Sequence, residues 1–328
     1  MPNRPVNVFF DSSHGQANWS QTGFTSRELH SNYFGLARLL QELGCVCRVH
    51  RAGPLAAGLR DTRLLVIPPP TGAYDWRHER WLDDPGSLFP PADIETLLRF
   101  LLFGGRLLAF AYRFGDDFTR TNLGELFQPL GCRLNNDAVI EPAHLREATA
   151  LESRFCTGAD FLPSIWAREG VTEVLWHSTA TFSITPNAIL QPLAVSPGGR
   201  CIAFDRKERL VSFQSLPIAV AGTYGEGRFV LFGGPHVVET GAFGLLTQAD
   251  NRRFAANVIR WLLGNEPLAA QHSTADEHQR LVREIDSRWL DACRIRAEGS
   301  AGSLVDAVER YLDQTGILKA LNHARWAT

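Results

Sequence analysis

Apolar and polar residues alternate with two different periods over the first 140 residues. Four short apolar runs are typical of buried strands: 6–10, 45–50, 64–67 and 106–112. Apolar residues at helical spacing predict helices between them, one over 25–43 and one over 91–103, and a shorter helix is predicted over 122–130. The sequence Thr25-x-x-Glu28 is a capping box that starts the first of these helices. Strands that alternate with helices of this length predict βαβ units and a parallel sheet.

After about residue 150 the pattern changes to short strands separated by turns. Strands are predicted near 173–177, 188–195, 201–205, 210–213, 218–223 and 228–232, followed by an amphipathic helix over 251–263. The stretch Gly225-Glu226-Gly227 lies between two strands, so it predicts a hairpin and not a phosphate-binding loop. We therefore expect an α/β fold: a doubly wound, mainly parallel flavodoxin-like sheet with an antiparallel extension.

The last part of the chain has a different pattern. A charged helix is predicted over 276–297, with Leu281, Ile285, Trp289 and Cys293 at a spacing of four residues, and a second helix over 304–321. A helical hairpin of this size is too small to be stable alone. We expect two domains, an α/β domain over 1–266 whose second half is β-rich from about 150, and a C-terminal helical appendage over 267–328. The appendage is expected to dock on the main domain or on a protein partner, with Trp289 as a contact.

Composition and charge exclude several classes of protein. The net charge is −2 and no basic stripe is present, which argues against nucleic-acid binding. Every apolar run is shorter than the roughly 20 residues that a membrane-spanning helix needs. The six cysteines are scattered without a CxxC pair, and no secretory signal precedes the first strand. We therefore expect a cytoplasmic protein with free thiols.

The loop after the first strand carries the densest group of polar residues: Asp11, Ser12, Ser13, His14 and Gln16. Ligands of α/β sheets bind at the carboxyl ends of the strands, so these five residues are candidate ligand contacts. The alternative is a turn in which Asp11 and Ser12 bind nearby backbone amides while His14 is packed as a buried group. A metal site would need Asp11, His14, Asp116 and His236 to converge. We expect neither a metal ion nor a cofactor.

Other candidates follow later strands or lie in loops. Tyr112, Arg113 and Asp116 come after the strand over 106–112, and His236 follows the strand over 228–232. The alternative for Arg113 and Asp116 is a surface ion-pair group. Trp76 and Trp81 belong to an aromatic loop that would stack a sugar or contact a partner, or would pack its own rings over the edge of the sheet.

Four motifs in this order resemble the class I glutamine-amidotransferase-like superfamily. They are the opening 10–16, the helix that ends in Gly104-Gly105 before a strand, the stretch 130–139, and the hairpin 224–230 with the helix 250–262. The set is similar to a branch of uncharacterised bacterial Asp-x-x-His-Gly proteins, gliding-motility transporter auxiliary subunits and the N-terminal domain of an intraflagellar-transport complex B subunit. The resemblance covers about residues 5–264. It implies the same fold and a role as a subunit of a larger assembly.

Amidotransferase chemistry needs a Cys on a sharp turn between a strand and a helix, activated by a His. The expected turn reads Ala111-Tyr112-Arg113-Phe114-Gly115 and contains neither Cys nor Ser. The family's His-Pro-Glu is echoed by His236-Val237-Val238-Glu239, where Glu lies one residue too far along. We therefore expect no glutaminase activity.

The function predicted from the sequence is a non-catalytic ligand-binding or scaffold subunit of a multiprotein assembly. The alternative is a hydrolase that acts on a small polar or carbohydrate ligand, with Asp11, His14 and His236 as acid–base groups, since a histidine near neutral pKa is a common general base. A sugar-binding module that uses Trp76 and Trp81 is a third hypothesis. Only the hydrolase hypothesis requires the histidines to contact a reacting group; the scaffold and sugar-binding hypotheses do not.

Overall fold

A computed structural model describes residues 5–14, 33–50, 53–70, 74–75, 80–81, 88–141, 154–185, 189–207, 209–240 and 244–264. Its strands are β1 (Val6–Asp11), β2 (Cys45–His50), β3 (Leu64–Ile67), β4 (Tyr74–Asp75), β5 (Arg80–Trp81), β6 (Arg106–Phe110), β7 (Cys132–Leu134), β8 (Asp137–Ile140), β9 (Arg154–Gly158), β10 (Glu173–His177), β11 (Phe182–Ile184), β12 (Leu190–Val195), β13 (Ile202–Asp205), β14 (Leu210–Ser212), β15 (Pro217–Tyr224) and β16 (Gly227–Phe232). Its helices are α1 (Phe34–Glu42), α2 (Leu55–Leu59), α3 (Pro91–Leu102), α4 (Gly115–Thr119), α5 (Leu123–Phe127) and α6 (Asn251–Leu263).

Seven of the described strands form the central sheet, in the order β12-β15-β16-β6-β3-β1-β2. The strands from β16 to β2 are parallel to their neighbours, whereas β15 and β12 add to the sheet in antiparallel orientation. Gly225 and Glu226 form the tight turn between β15 and β16, and Gly225 adopts a φ of 58°. The predicted flavodoxin-like α/β sheet with an antiparallel extension is confirmed. The predicted β-hairpin at Gly225-Glu226-Gly227 is confirmed as well.

Helices cover both faces of the parallel strands. One face packs against α1 and α6 and includes Phe10 and Phe232, and the other packs against α2 and α3 and includes Leu65 and Leu107. All residues of β3, β6 and β16 are buried, as expected for strands covered on both faces. Polar side chains that follow these strands therefore gather at their carboxyl ends, in the loops beyond β1, β6 and β16.

Three smaller sheets pair strands of the second half with segments that follow β6. These are β7 with β11, β9 with β10, and β8 with β13 and β14. The sequence pattern did not predict eight short elements that show little periodicity: α2, α4, β4, β5, β7, β8, β9 and β11. Asn135 and Asn136 connect β7 to β8, and Asp137 is the first residue of β8.

Several predicted features lie outside the described residues. These are the Thr25 capping box, the aromatic loop around Trp76 and the C-terminal helices with Trp289. The helical appendage and the domain boundary at 266 therefore stay predictions. Among the described helices, none combines the length and the apolar character that crossing a membrane requires.

The segment after β10 crosses the end of β16 at very close range. The backbone N–H of Ala180 donates to the carbonyl of Gly233 at 3.0 Å. A Cβ atom on Gly233 would lie 1.9 Å from the carbonyl oxygen of Ala180, which is a backbone atom that cannot swing away. Glycine at 233 therefore allows His177, at the end of β10, to approach the loop that follows β16.

Gly233→Ala should destabilise the protein by about 2 kcal/mol or more, because the added methyl group forces the two backbone segments apart. Gly158→Ala is the matched control, since a Cβ atom there meets nothing within 4 Å and the φ of −72° suits alanine. Urea unfolding of both variants measures the difference. Equal midpoints for the two variants would show that the crossing is not tightly packed.

Candidate functional site

Buried polar residues at the carboxyl edge of the sheet form two groups. The first, called the His14 bridge, consists of Asp11, Ser13, His14 and Asp93. The second, called the His236 cluster, consists of Tyr33, Tyr112, Arg113, Arg154, His177, His236 and Glu239. The hydrolase hypothesis places His14 and His236 in one site, whereas the contacts give each imidazole its own carboxyl partner.

The His14 bridge joins the end of β1 to the first turn of α3. His14 Nδ1 lies 2.7 Å from Asp11 Oδ2, and His14 Nε2 lies 3.0 Å from Asp93 Oδ2. The backbone N–H and the hydroxyl of Ser13 donate to Asp11 Oδ1 at 3.0 and 2.7 Å. The ring of Phe89 stacks on His14 with the centroids 4.2 Å apart. Both imidazole nitrogens therefore face carboxylates in a buried setting.

This geometry favours a charged imidazole. Burial by itself would lower the pKa of His14, but the hydrogen bonds to Asp11 and Asp93 and their negative charges outweigh it and raise the pKa above 6.5. Burial likewise opposes ionisation of Asp11, yet the hydrogen bond and charge of His14 lower the pKa of that carboxyl. Since both nitrogens of a protonated imidazole donate, the arrangement ties β1 to α3 and leaves His14 poorly suited to accept a proton.

In the His236 cluster a tight helical turn brings a histidine and a glutamate together. Residues His236–Val238 form a 3₁₀ turn directly after β16. Such a turn has three residues per turn, so the side chains at positions i and i+3 lie on the same side. Glu239 Oε2 consequently lies 2.7 Å from His236 Nδ1. Glu239 lies one residue further from His236 than in the family's His-Pro-Glu. The 3₁₀ turn nevertheless brings the two side chains into contact.

The protonation states of this pair are opposite to those of the His14 bridge. Burial, together with the positive charges of Arg113 and Arg154, lowers the pKa of His236 to about 3. Burial raises the pKa of Glu239 to about 8. Both groups are therefore largely neutral at neutral pH, and the 2.7 Å contact joins a neutral imidazole to a neutral carboxyl group. Burial, the charge of Glu239 and a hydrogen bond to it raise the pKa of Tyr33.

Aromatic rings and guanidinium groups surround His236. The ring centroid of His177 lies 4.7 Å from that of His236, and the ring of Tyr112 meets His236 edge-on at 5.7 Å. The Arg113 guanidinium lies 5.5 Å from the centre of the Tyr112 ring. Arg113 is only 6% exposed, which rules out the alternative of a surface ion-pair group for it. The residues that follow β6 and β16 thus meet in one buried polar cluster.

The turn between β6 and α4, called the elbow, has a strained left-handed backbone and carries a phenylalanine. Phe114 adopts a φ of 62° and Gly115 a φ of 50°, directly before α4. Left-handed backbone costs a non-glycine residue about 1–2 kcal/mol. The side chain at this position is 2% exposed and packs edge-on against Phe204 at 5.4 Å. A buried phenyl ring thus occupies the left-handed position of this turn between a strand and a helix.

The remaining candidates have separate positions. Asp116 accepts hydrogen bonds from the Thr121 hydroxyl at 2.6 Å and from the N–H groups of Leu123 and Gly124 at 2.9 and 2.8 Å, so it stabilises the start of α5. The Ser12 N–H donates to the His50 carbonyl at 2.7 Å. Gln16, Trp76 and Trp289 lie outside the described residues, as does the side chain of Trp81. Their ligand or partner contacts stay predictions.

Sequence reasoning missed four residues of these two groups: Tyr33, Asp93, Arg154 and His177. Asp93 stands in the first turn of a helix that follows a strand, which is a usable signal for the same edge of the sheet. Arg154 and His177 gave no such signal, because β9 was not predicted and its pairing with β10 is a long-range contact. Among the described residues, no group of three or more His, Cys, Asp and Glu side chains is placed to hold a metal ion.

Comparison with known proteins gives a fold and no family. No protein-family model matches the chain, and no curated protein does. The N-terminal domain of mmIFT52 has a similar structure, with a TM-score of 0.60, 16% identity, and coverage of 80% of this chain and 99% of that domain. A ThuA-like protein from Bacteroides uniformis has a TM-score of 0.47 and 12% identity, with coverage of 82% of this chain and 96% of that chain. A cytoplasmic protein from Salmonella typhimurium has a TM-score of 0.49 and 13% identity, with coverage of 78% of this chain and 98% of that chain. The mmIFT52 match shows a shared fold, which agrees with the resemblance found in the sequence.

Removing the imidazole of the His14 bridge should leave two buried carboxylates facing each other. We expect His14→Gln to cost about 3 kcal/mol of folding free energy, as for other broken buried pairs. Glu95→Gln on the same helix is the matched control, because its ion pair with Arg99 is 65–71% exposed and worth little. Urea unfolding gives both values. A loss no larger than the control's would mean that the bridge does not hold β1 to α3.

The cost of His14→Gln should depend on pH. The raised pKa of His14 means that its contribution is complete below about 6.5, its ordinary value, and is lost as pH rises through the raised pKa. The lowered pKa of Asp11 means that its contribution is lost as pH falls below its ordinary value of 3.8. The difference between wild type and variant should therefore be greatest between these two values. A difference that grows toward alkaline pH would contradict a charged His14.

Glu239→Gln tests the neutral His236 pair. The pKa of Glu239 rises from 4.5 to about 8 in the folded protein, so the wild type loses stability as pH rises between these values. Glutamine has no proton to lose, and the variant should gain up to about 1.4 kcal/mol per pH unit relative to the wild type over that range. Glu42→Gln, an exposed carboxylate paired with Arg252, is the control. A variant that is less stable than the wild type throughout would indicate an ionised pair.

Proposed function

We propose that this protein is a non-catalytic subunit of a multiprotein assembly, built on an amidotransferase-like α/β fold. The observation that carries the proposal is the elbow after β6, where Phe114 takes the left-handed position and buries its side chain. A nucleophile must be exposed to its substrate beside a base. Phe114 offers neither a reactive atom nor access.

The surroundings of His236 support the same proposal. A histidine that serves as a general base becomes an imidazolium, which a nearby ionised carboxylate stabilises. Here the charges of Arg113 and Arg154 disfavour the imidazolium, and Glu239 is largely protonated at neutral pH. The histidine and glutamate are in contact, but their environment is arranged against proton transfer to His236.

The fold adds support of a different kind. The chain covers 99% of the mmIFT52 N-terminal domain, so the described α/β part matches that domain from end to end. The resemblance in the sequence implies that proteins of this branch serve as subunits, and a cytoplasmic location belongs to the same proposal. The hydrolase alternative has less support, because both nitrogens of His14 are held by Asp11 and Asp93.

The test is the native mass of the protein in an extract of its own host, followed by reconstitution. We expect the tagged chain to elute well above its monomer mass of 36.4 kDa, and the co-eluting protein, purified separately, to bind at a fixed stoichiometry. His236→Gln should form the same complex, since no reaction is involved. Elution at the monomer mass would contradict the subunit role, and so would turnover of a hydrolase substrate that His236→Gln abolishes.

A further inference from the structure

The subunit proposal gives no role to the guanidinium groups of the His236 cluster. We propose that Arg113 and Arg154, with His177, form a binding site for a small molecule that carries an oxyanion, either a carboxylate or a phosphate. The inference goes beyond the proposed function, because small-molecule binding and partner binding are measured separately. It depends on where these residues lie, on their charge and on the geometry of the guanidinium group.

The position is the first argument. Arg113 follows β6 and His236 follows β16, and these two strands are parallel neighbours in the sheet. Ligands of open α/β sheets bind outside the carboxyl ends of such strands. The start of α1 is at the same place, since Tyr33 interacts with Glu239, and a helix N-terminus carries a partial positive charge.

Three aromatic side chains lie in sequence between the two arginines. Arg154 and His177 are directly opposite each other in the pairing of β9 with β10, so their side chains lie on the same face. The ring of His177 is 4.7 Å from that of His236, which is 5.7 Å from the ring of Tyr112. Arg113 lies over that same tyrosine ring. The cluster is therefore one surface with a guanidinium group at each end.

The charge is the second argument. Arginine stays protonated at every physiological pH. Arg113 and Arg154 both act on His236 with positive charge, and the carboxyl group in contact with it, Glu239, has a pKa of about 8. An anionic group placed among them would gain two favourable charge interactions in a buried setting, where such interactions are stronger than in water.

The shape of the guanidinium group selects the ligand chemistry. Its planar fork binds the two oxygens of a carboxylate or phosphate at once, with charge-assisted hydrogen bonds. His177 adds an imidazole N–H to the same cluster, because it is opposite Arg154 in the strand pairing and its ring is 4.7 Å from that of His236. Lysine would supply the charge without the fork, and this difference provides a variant for the test.

The test uses the purified full-length chain and two probes, inorganic phosphate and malonate, titrated by calorimetry at constant ionic strength. We expect saturable binding of at least one probe, weakened tenfold or more in Arg154→Gln and in Arg113→Lys. Arg99→Gln is the matched control, since it removes an exposed arginine on α3 and should change the affinity less than twofold. Binding of phosphate alone or of malonate alone supports the site and identifies the anion class.

Two results would overturn the proposal. One is the absence of saturable binding of either probe to the wild type, and the other is equal affinity in all four proteins. Circular dichroism checks that each variant is folded. If Arg113→Lys does not fold, Arg154→Gln alone decides the test. Arg154 is the first residue of β9 and is half-buried, so its replacement is compatible with folding. Normal complex formation by a variant that has lost anion binding would separate this site from the subunit role.

Discussion

Burial of the parallel strands on both faces is the constraint on which the rest of the structure depends. Because β3, β6 and β16 have no exposed residue, their only charged side chains, Arg106 and Arg228, stand near the amino ends of β6 and β16. Each polar or charged group near the centre of the molecule must then stand at a strand end and find a partner there. The two buried groups at the carboxyl edge are the result of this single requirement.

The two histidines at that edge solve the same problem in opposite ways. His14 is held between Asp11 and Asp93, whose negative charges compensate the burial of a positive imidazole. His236 has positive neighbours, and it stays neutral while Glu239 keeps its proton. Residue type alone therefore does not indicate whether a histidine carries charge, and the signs of its neighbours decide it.

The sequence predicted the central sheet well, because long apolar runs and helical spacing are local signals. It predicted the Asp11 and His14 loop and the position of His236 for the same reason. It could not predict Asp93 as the second partner of His14, since 79 residues separate them along the chain. It also misjudged Glu239 by counting residues, because spacing in the chain becomes distance only when the local backbone, here a 3₁₀ turn, is known.

Phe114 ties the turn after β6 to a core outside the central sheet. Its ring belongs to the small core formed by β8 and β13, where it packs with Ile140, Ile202 and Phe204. Replacing a buried phenylalanine by a small residue costs about 3–5 kcal/mol, a large part of the stability of a typical domain. A nucleophile at this position would remove the anchor of the neighbouring sheet in the same step. Placing a nucleophile at this turn would therefore require that core to be rebuilt.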